Sequence, residues 1–191
     1  MTSVTTPSQT VGPFFHDALD RLGWADLTAA GASGDKIRVE GRVLDGDRAA
    51  VSDAFLEIWQ ANAAGRYAHD EDRQDKALDP HFRGFGRVFT DAEGRYSFTT
   101  IRPGRVAGRG NALQAPHISV AIFARGLLKQ LTTRIYFADE GAANETDPVL
   151  SAIDDAGIRR TLLAAPVESA LPTYRFDIIL QGEGETAFFE I

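Results

Sequence analysis

The chain has 191 residues, 43% of them hydrophobic and 25% charged, which is the make-up of an ordinary globular protein and not of a disordered or fibrous one. Its formal net charge of -7 argues against nucleic acid as a partner, although a single well-placed arginine can still hold a small anion. There is no cysteine, so disulfides and thiolate metal sites are excluded, and no run approaches the roughly 20 apolar residues of a membrane span. The opening residues lack a basic and then apolar leader, so no signal peptide is expected, and the cysteine-free composition suits the cytoplasm.

Thr5 to Phe15 is rich in Thr, Ser, Pro and Gly, and Pro7, Gly12 and Pro13 rule out a regular helix there. The pair Phe14-Phe15 needs burial, so the segment reads as a docked or docking arm more than as a loose terminus. Asp17 to Leu27 is expected to hold a short helix and Gly31 to Asp35 a loop. The pattern then turns strand-like. Ile37 to Leu44 alternates apolar and polar residues, Asp45-Gly46-Asp47 supplies a turn, and Ala54 to Gln60 is the next strand. Val88-Phe89-Thr90 and Arg95 to Thr100, joined by Asp91-Ala92-Glu93-Gly94, read as a hairpin. His117 to Phe123 is a buried strand, and Leu131 to Phe137 is β-branched and aromatic, as strands prefer. Asp147 to Ala165 has helical spacing, with Leu150, Ile153, Ile158 and Leu162 on one face. Tyr174 to Leu180 is a further strand, and Thr186 to Ile191 is expected to close a sheet. The fold class expected is mainly β, an antiparallel β-sandwich with short helical excursions. Residues 1-35 would be the arm and short helix of a single domain, and 36-191 its sandwich.

His16, His69, His81 and His117 show no zinc-helix spacing. Gly182-x-Gly184 is too short for a dinucleotide fingerprint, and there is no Gly-x-Ser-x-Gly elbow. Two local groups remain: Gly65-Arg66-Tyr67-Ala68-His69 and Ala115-Pro116-His117-Ile118-Ser119. A tyrosinate and an imidazole can both ligate ferric iron. The residues alone favour Tyr67 as a loop aromatic and His117 as a strand-end histidine with a satisfied hydrogen bond over that ligand reading.

Longer stretches are more specific. These are Thr6 to Phe14, Phe55-Leu56-Glu57-Ile58-Trp59-Gln60-Ala61, the segment around His117, Phe123-Ala124-Arg125-Gly126 and Tyr174 to Thr186. In them the chain resembles the intradiol ring-cleavage dioxygenases over nearly its whole length. The resemblance implies a catalytic chain that holds Fe3+ with two tyrosines and two histidines. Tyr67 matches the first tyrosine. Pro103-Gly104-Arg105-Val106-Ala107-Gly108 stands where the family has Pro-x-x-Tyr-Pro-Trp. Gln114-Ala115-Pro116-His117-Ile118-Ser119 stands where it has Arg-Pro-x-His-x-His. Val106 therefore replaces a tyrosine, Ser119 a histidine and Gln114 an arginine, so Tyr67, Val106, His117 and Ser119 are vestigial ligand positions.

The resemblance then implies a metal-free α-type subunit with no metal and no catalytic residues of its own. Its homologous β-type partner would carry the Fe3+ in a higher-order α–β oligomer. The small aromatic substrate it implies is protocatechuate, cleaved with O2 to 3-carboxy-cis,cis-muconate, a step of aromatic catabolism in the β-ketoadipate pathway. Thr10, Gly12 and Pro13 would line the partner's pocket. Arg125 would face the substrate carboxylate, with Arg134 the alternative because an unpaired charge on an apolar strand is costly. Two other readings stand beside this one: a non-catalytic β-sandwich binding protein derived from the same fold, and a self-sufficient enzyme with altered ligands. A free-standing binding module has no need of a Pro-flanked arm with two aromatics. Val106 and Ser119 weigh against the second.

Overall fold

Residues that alternate in the sequence alternate in burial. In β1 (Lys36–Leu44) Ile37, Val39, Gly41 and Val43 point inward while Lys36, Arg38 and Arg42 are exposed. The computed structural model describes residues 6–12, 14–20, 23–28, 31–108, 110 and 112–190. The further strands are β2 (Phe55–Trp59), β3 (Phe85–Phe89), β4 (Arg95–Ile101), β5 (Val106–Ala107), β6 (Leu113–Gln114), β7 (His117–Phe123), β8 (Leu131–Phe137), β9 (Leu163–Val167), β10 (Thr173–Arg175) and β11 (Ile178–Ile179).

Hydrogen bonding runs in the order β11-β1-β10-β9-β8-β7-β2-β3, with β4 on β1, while β5 and β6 form a separate two-stranded ribbon. The path turns back on itself. Ile37, Val39, Val43, Phe98 and Tyr174 from the β4-β1-β10 half meet Leu56, Ile58, Ile118, Val120, Ile122 and Ile135 from the β8-β7-β2-β3 half in one core. That is a β-sandwich, as the alternation predicts. Its ladders are antiparallel except β1–β10, β1–β11 and β8–β9. A second cluster forms outside β8, where Tyr136 packs with Ala115, Ala143, Leu150 and Leu162.

Several local expectations give way. The turn after Phe89 exists, with Asp91 accepting from the N–H of Gly94 at 2.9 Å, but it does not close a hairpin. β3 pairs with β2 and β4 with β1, so the turn carries the chain from one half of the sandwich to the other. The helix near the N-terminus is α1 (Phe15–Leu19) alone. The helical spacing after Asp147 resolves into a 3-10 turn (Leu150–Ala152), a short helix and the strand β9. The short helices beyond β8 are α2 (Gly141–Glu145) and α3 (Ala156–Arg160), the latter capped by Asp155, which accepts from Gly157 and Ile158. Residues 186–190 form no strand, yet the N–H of Phe189 donates to Thr132 O at 2.8 Å alongside β8.

Candidate functional site

The outer face of the β3-β2-β7-β8 half positions the site. Register places Phe85, Trp59, Ser119 and Arg134 in one row across the four strands, and His117 beside Tyr136 in the next. The loop after Trp59 turns back over this row, so that Tyr67 stacks on Trp59 with centroids 5.7 Å apart and planes within 6°, and His69 meets the indole edge-on. The loop is tied from several sides. Asp72 accepts from the Tyr67 N–H at 2.8 Å, and Asn62 accepts from Arg66 N at 3.0 Å. Lys76 donates to both Gly65 O and Arg105 O. Gly65 has φ +79°, and a Cβ there would lie 2.0 Å from Arg105 O. Only glycine lets the two loop segments approach so closely.

That approach brings in Val106. It opens the β5–β6 ribbon directly opposite Gln114, and with Trp59, Tyr67 and His69 it lines a cavity of about 790 Å³. A cavity of about 480 Å³ on the other side of Trp59 is lined by Phe85, Ser119 and Phe123. Tyr67, Val106 and Ser119 thus lie around Trp59, while His117 sits two residues along β7 from Ser119, its ring against Tyr136.

Two of the four carry strong donor atoms. His117 is buried, and its Nδ1 lies 2.8 Å from Ala115 O, so a neutral ring donates there. Burial, reinforced by the nearby Arg134 charge, lowers its pKa to about 4. Burial raises the Tyr67 phenol, partly offset by Arg134. Val106 has no donor, and the neutral hydroxyl of Ser119 is a poor substitute for imidazole. No group of three or more His, Asp or Glu side chains among the described residues offers an alternative cage. These residues do not fit a ferric ion.

Sequence reasoning named Arg134 only as an alternative cation for the substrate carboxylate, and it missed Tyr136 and Asp147. Arg134 Nη1 donates to Gln114 Oε1 at 2.7 Å and to the Tyr136 hydroxyl at 3.2 Å. Tyr136 in turn donates to Asp147, a fully buried carboxylate that also accepts from the N–H groups of Ala115, Val149 and Leu150. The available signal was a charged residue within the apolar run of β8.

The other candidates collect at the far end of β7, about 20 Å from His117 by strand rise. Thr10 accepts from Gly126 N–H at 2.8 Å and donates to Ala124 O at 3.4 Å, which pins the arm beside Arg125. Arg125 pairs with Asp53 and is otherwise exposed. Phe15 is covered within the chain, its ring 4.6 Å from that of Phe55, whereas Phe14 is 78% exposed. Nothing lies within 4 Å of a Cβ built on Gly12, so in this chain the space beside it is open. Pro13 lies outside the described residues. Arg134 belongs to the Tyr67–His117 end and not to this one.

Comparison with known proteins agrees with this architecture. Residues 12–182 match the family model described as "Dioxygenase". The chain is 41% identical to the protocatechuate 3,4-dioxygenase alpha chain of Pseudomonas putida, over 97% of this chain and 96% of that one. It is 42% identical to the corresponding alpha chain of Burkholderia cepacia, and 37% identical to the beta chain of that organism over 94% of this chain and 77% of the relative. Among solved structures, the dioxygenase domain of a carbohydrate-binding fusion from Streptomyces sp. SirexAA-E superposes with a TM-score of 0.61 at 28% identity. It covers 95% of this chain and 99% of its own. A sandwich half facing the core, an outer face gathering the matched tyrosine and histidine, and relatives of this extent lead to one conclusion: the chain belongs to the intradiol ring-cleavage dioxygenase family.

Proposed function

We propose that this chain is the metal-free subunit of a protocatechuate-cleaving dioxygenase, working with an iron-bearing partner chain related to it in sequence. One observation carries the reading. Of the four positions matched to iron ligands, two hold Val106 and Ser119, which cannot stand in for a tyrosine and a histidine. The identity to alpha chains of that enzyme, beside a lower identity to a beta chain, supports the same division of labour. Ring cleavage by O2 to 3-carboxy-cis,cis-muconate then belongs to the partner's Fe3+.

This chain's own contribution is a wall and a charge. Thr10, Gly12 and Arg125 face the partner's pocket from the arm and the end of β7, and Pro13 remains a candidate for the same wall by sequence alone. The open space at Gly12 would admit a flat ring, and Arg125 would exchange Asp53 for the substrate carboxylate. The chain acts as one domain, with its arm in 1-35 and its sandwich in 36-191, inside a larger α–β oligomer in the cytoplasm.

The test is the lone full-length chain, purified without its partner. It is expected to be colourless and to hold no stoichiometric iron, because the visible band of tyrosinate on ferric iron needs a formed site. A red-brown protein with one iron per chain would sink the reading.

A further inference from the structure

Arg134 stands among all four vestigial ligand positions. It is the cross-strand partner of Ser119 on β7. It donates at 2.7 Å to Gln114, which is the cross-strand partner of Val106. The two retained donors lie on either side of it by register: His117 is the cross-strand partner of Tyr136, which accepts from Arg134, and Tyr67 stacks on Trp59, the cross-strand partner of Ser119. The orientation of Arg134 is fixed, since Gln114 and Tyr136 both accept from Nη1, and Tyr136 is held in turn by the buried Asp147. The direct partners of the guanidinium are neutral, and the centroid of the Phe189 ring lies 5.9 Å from its Cζ. A guanidinium stays protonated at every pH a protein survives.

We infer that Arg134 is a built-in cation that keeps a metal ion from the matched ligand positions, so that metal exclusion rests on a gained charge as well as on two lost ligands. A site for a ferric ion must be net negative or neutral before the metal enters. Here a permanent positive charge already stands beside the row that carries the remaining donors, and a threefold positive ion would meet a repulsion three times that between two unit charges at the same distance. The side chain cannot simply swing aside. Withdrawing Nη1 would leave the Gln114 carbonyl and the Tyr136 hydroxyl, the latter on a buried residue, without their donor. Restoring the missing ligands alone is therefore insufficient.

The inference rests on the metal-free reading of this chain, and the experiment separates the two. Full-length versions are co-expressed with the iron-bearing partner, and iron is counted per α–β pair. The native chain, Arg134→Gln and Val106→Tyr/Ser119→His are each expected to give one iron. The three changes together are expected to give two, with a second tyrosinate band in the visible spectrum. Two irons with the ligand substitutions alone would overturn the role of Arg134. So would one iron in the triple variant when the pair assembles and still turns over at the partner's site. Two irons with the native chain would instead overturn the metal-free reading itself. Should the triple variant fail to assemble, Ser119→His is compared with and without Arg134→Gln by titration with Co2+, read from its visible absorption. Loss of the arginine is expected to tighten binding at least about tenfold, the scale of a group beside a metal site. Equal affinities would overturn the inference.

Discussion

Arg125 is 73% exposed in its side chain and already has a carboxylate, Asp53, so its pairing here contributes little to the chain's own stability. The same exposure leaves it free to serve a ligand once a partner covers this end of β7. Arg125→Ala in the α–β enzyme is expected to raise the KM for protocatechuate about tenfold, about 1.4 kcal/mol, with kcat changing less because the chemistry lies in the other chain. Unsubstituted catechol has no carboxylate, so its kinetics should barely move. Equal losses on both substrates would make Arg125 structural. His117 makes a different kind of prediction. Its folded pKa, about 4, lies below the ordinary 6.5, because burial and the facing Arg134 outweigh the Ala115 carbonyl and Asp147. The unfolded chain therefore binds a proton that the folded chain refuses between those values, and stability is full above pH 6.5 and lost as pH falls toward 4. The loss is about 3 kcal/mol once the pH has fallen to 4 and below. The paired carboxylates Asp26, Asp72 and Asp139 have lowered pKa values and act only below 3.8, outside that window. Denaturant midpoints from pH 7 to 4.5 should slope for the native chain and flatten for His117→Gln. Parallel slopes would assign the effect elsewhere.

At the scale of elements, the long strands were legible because a half-buried strand writes its period into the sequence. β7 and β8 begin and end where the apolar and β-branched runs do, at His117–Phe123 and Leu131–Phe137. Pairing was not legible in the same way. Asp91 to Gly94 has the residues of a hairpin turn, and the turn forms. Nothing local to it records that Val88 and Phe98 belong to opposite halves of the sandwich. The segment after Asp147 misled for a physical reason: Leu150 and Leu162 are both buried against Tyr136, as a helical stripe would be. The chain reaches them by a 3-10 turn and a short capped helix whose own residues are not buried. The site divides similarly. Tyr67 and His117 stand out by family resemblance, since their local motifs survive. Arg134 was singled out only as a charge on an apolar strand. Its place opposite Ser119 depends on the β7–β8 register, and its hold on Gln114 depends on the β5–β6 ribbon. Tyr136 and Asp147 carry no motif at all, Trp59 lies in a matched stretch that says nothing of its contacts, and the roles of all three exist only once those elements are assembled.

For the molecule as a whole, the surface around the arm decides how the chain behaves without a partner. Gln9, Val11 and Phe15 share a groove with Phe123, Ala124, Leu127 and Leu128, so the arm is seated on its own sandwich and not loose. Seating it leaves Phe14, on the arm that Thr10 pins to Gly126, at 78% exposure and Leu128, close to Arg125 in sequence, at 62%. Exposed aromatic and aliphatic side chains beside a candidate pocket wall mark a contact surface, and the buried centre of such a surface carries most of its binding energy. Covering Phe14 contributes about 2 kcal/mol, so Phe14→Ala is expected to weaken α–β association by about thirtyfold. Its effect on the fold of the chain itself should be slight, because Phe15 and not Phe14 holds the arm to Phe55. Sedimentation of the mixed chains across a concentration series measures the first effect, and thermal unfolding of the lone chain the second. The same surface has no cover when the chain is alone, and the native lone chain should self-associate as its concentration rises while Phe14→Ala does so less. A lone native chain that stays a monomer throughout, together with unchanged pairing in the variant, would move the interface away from the arm.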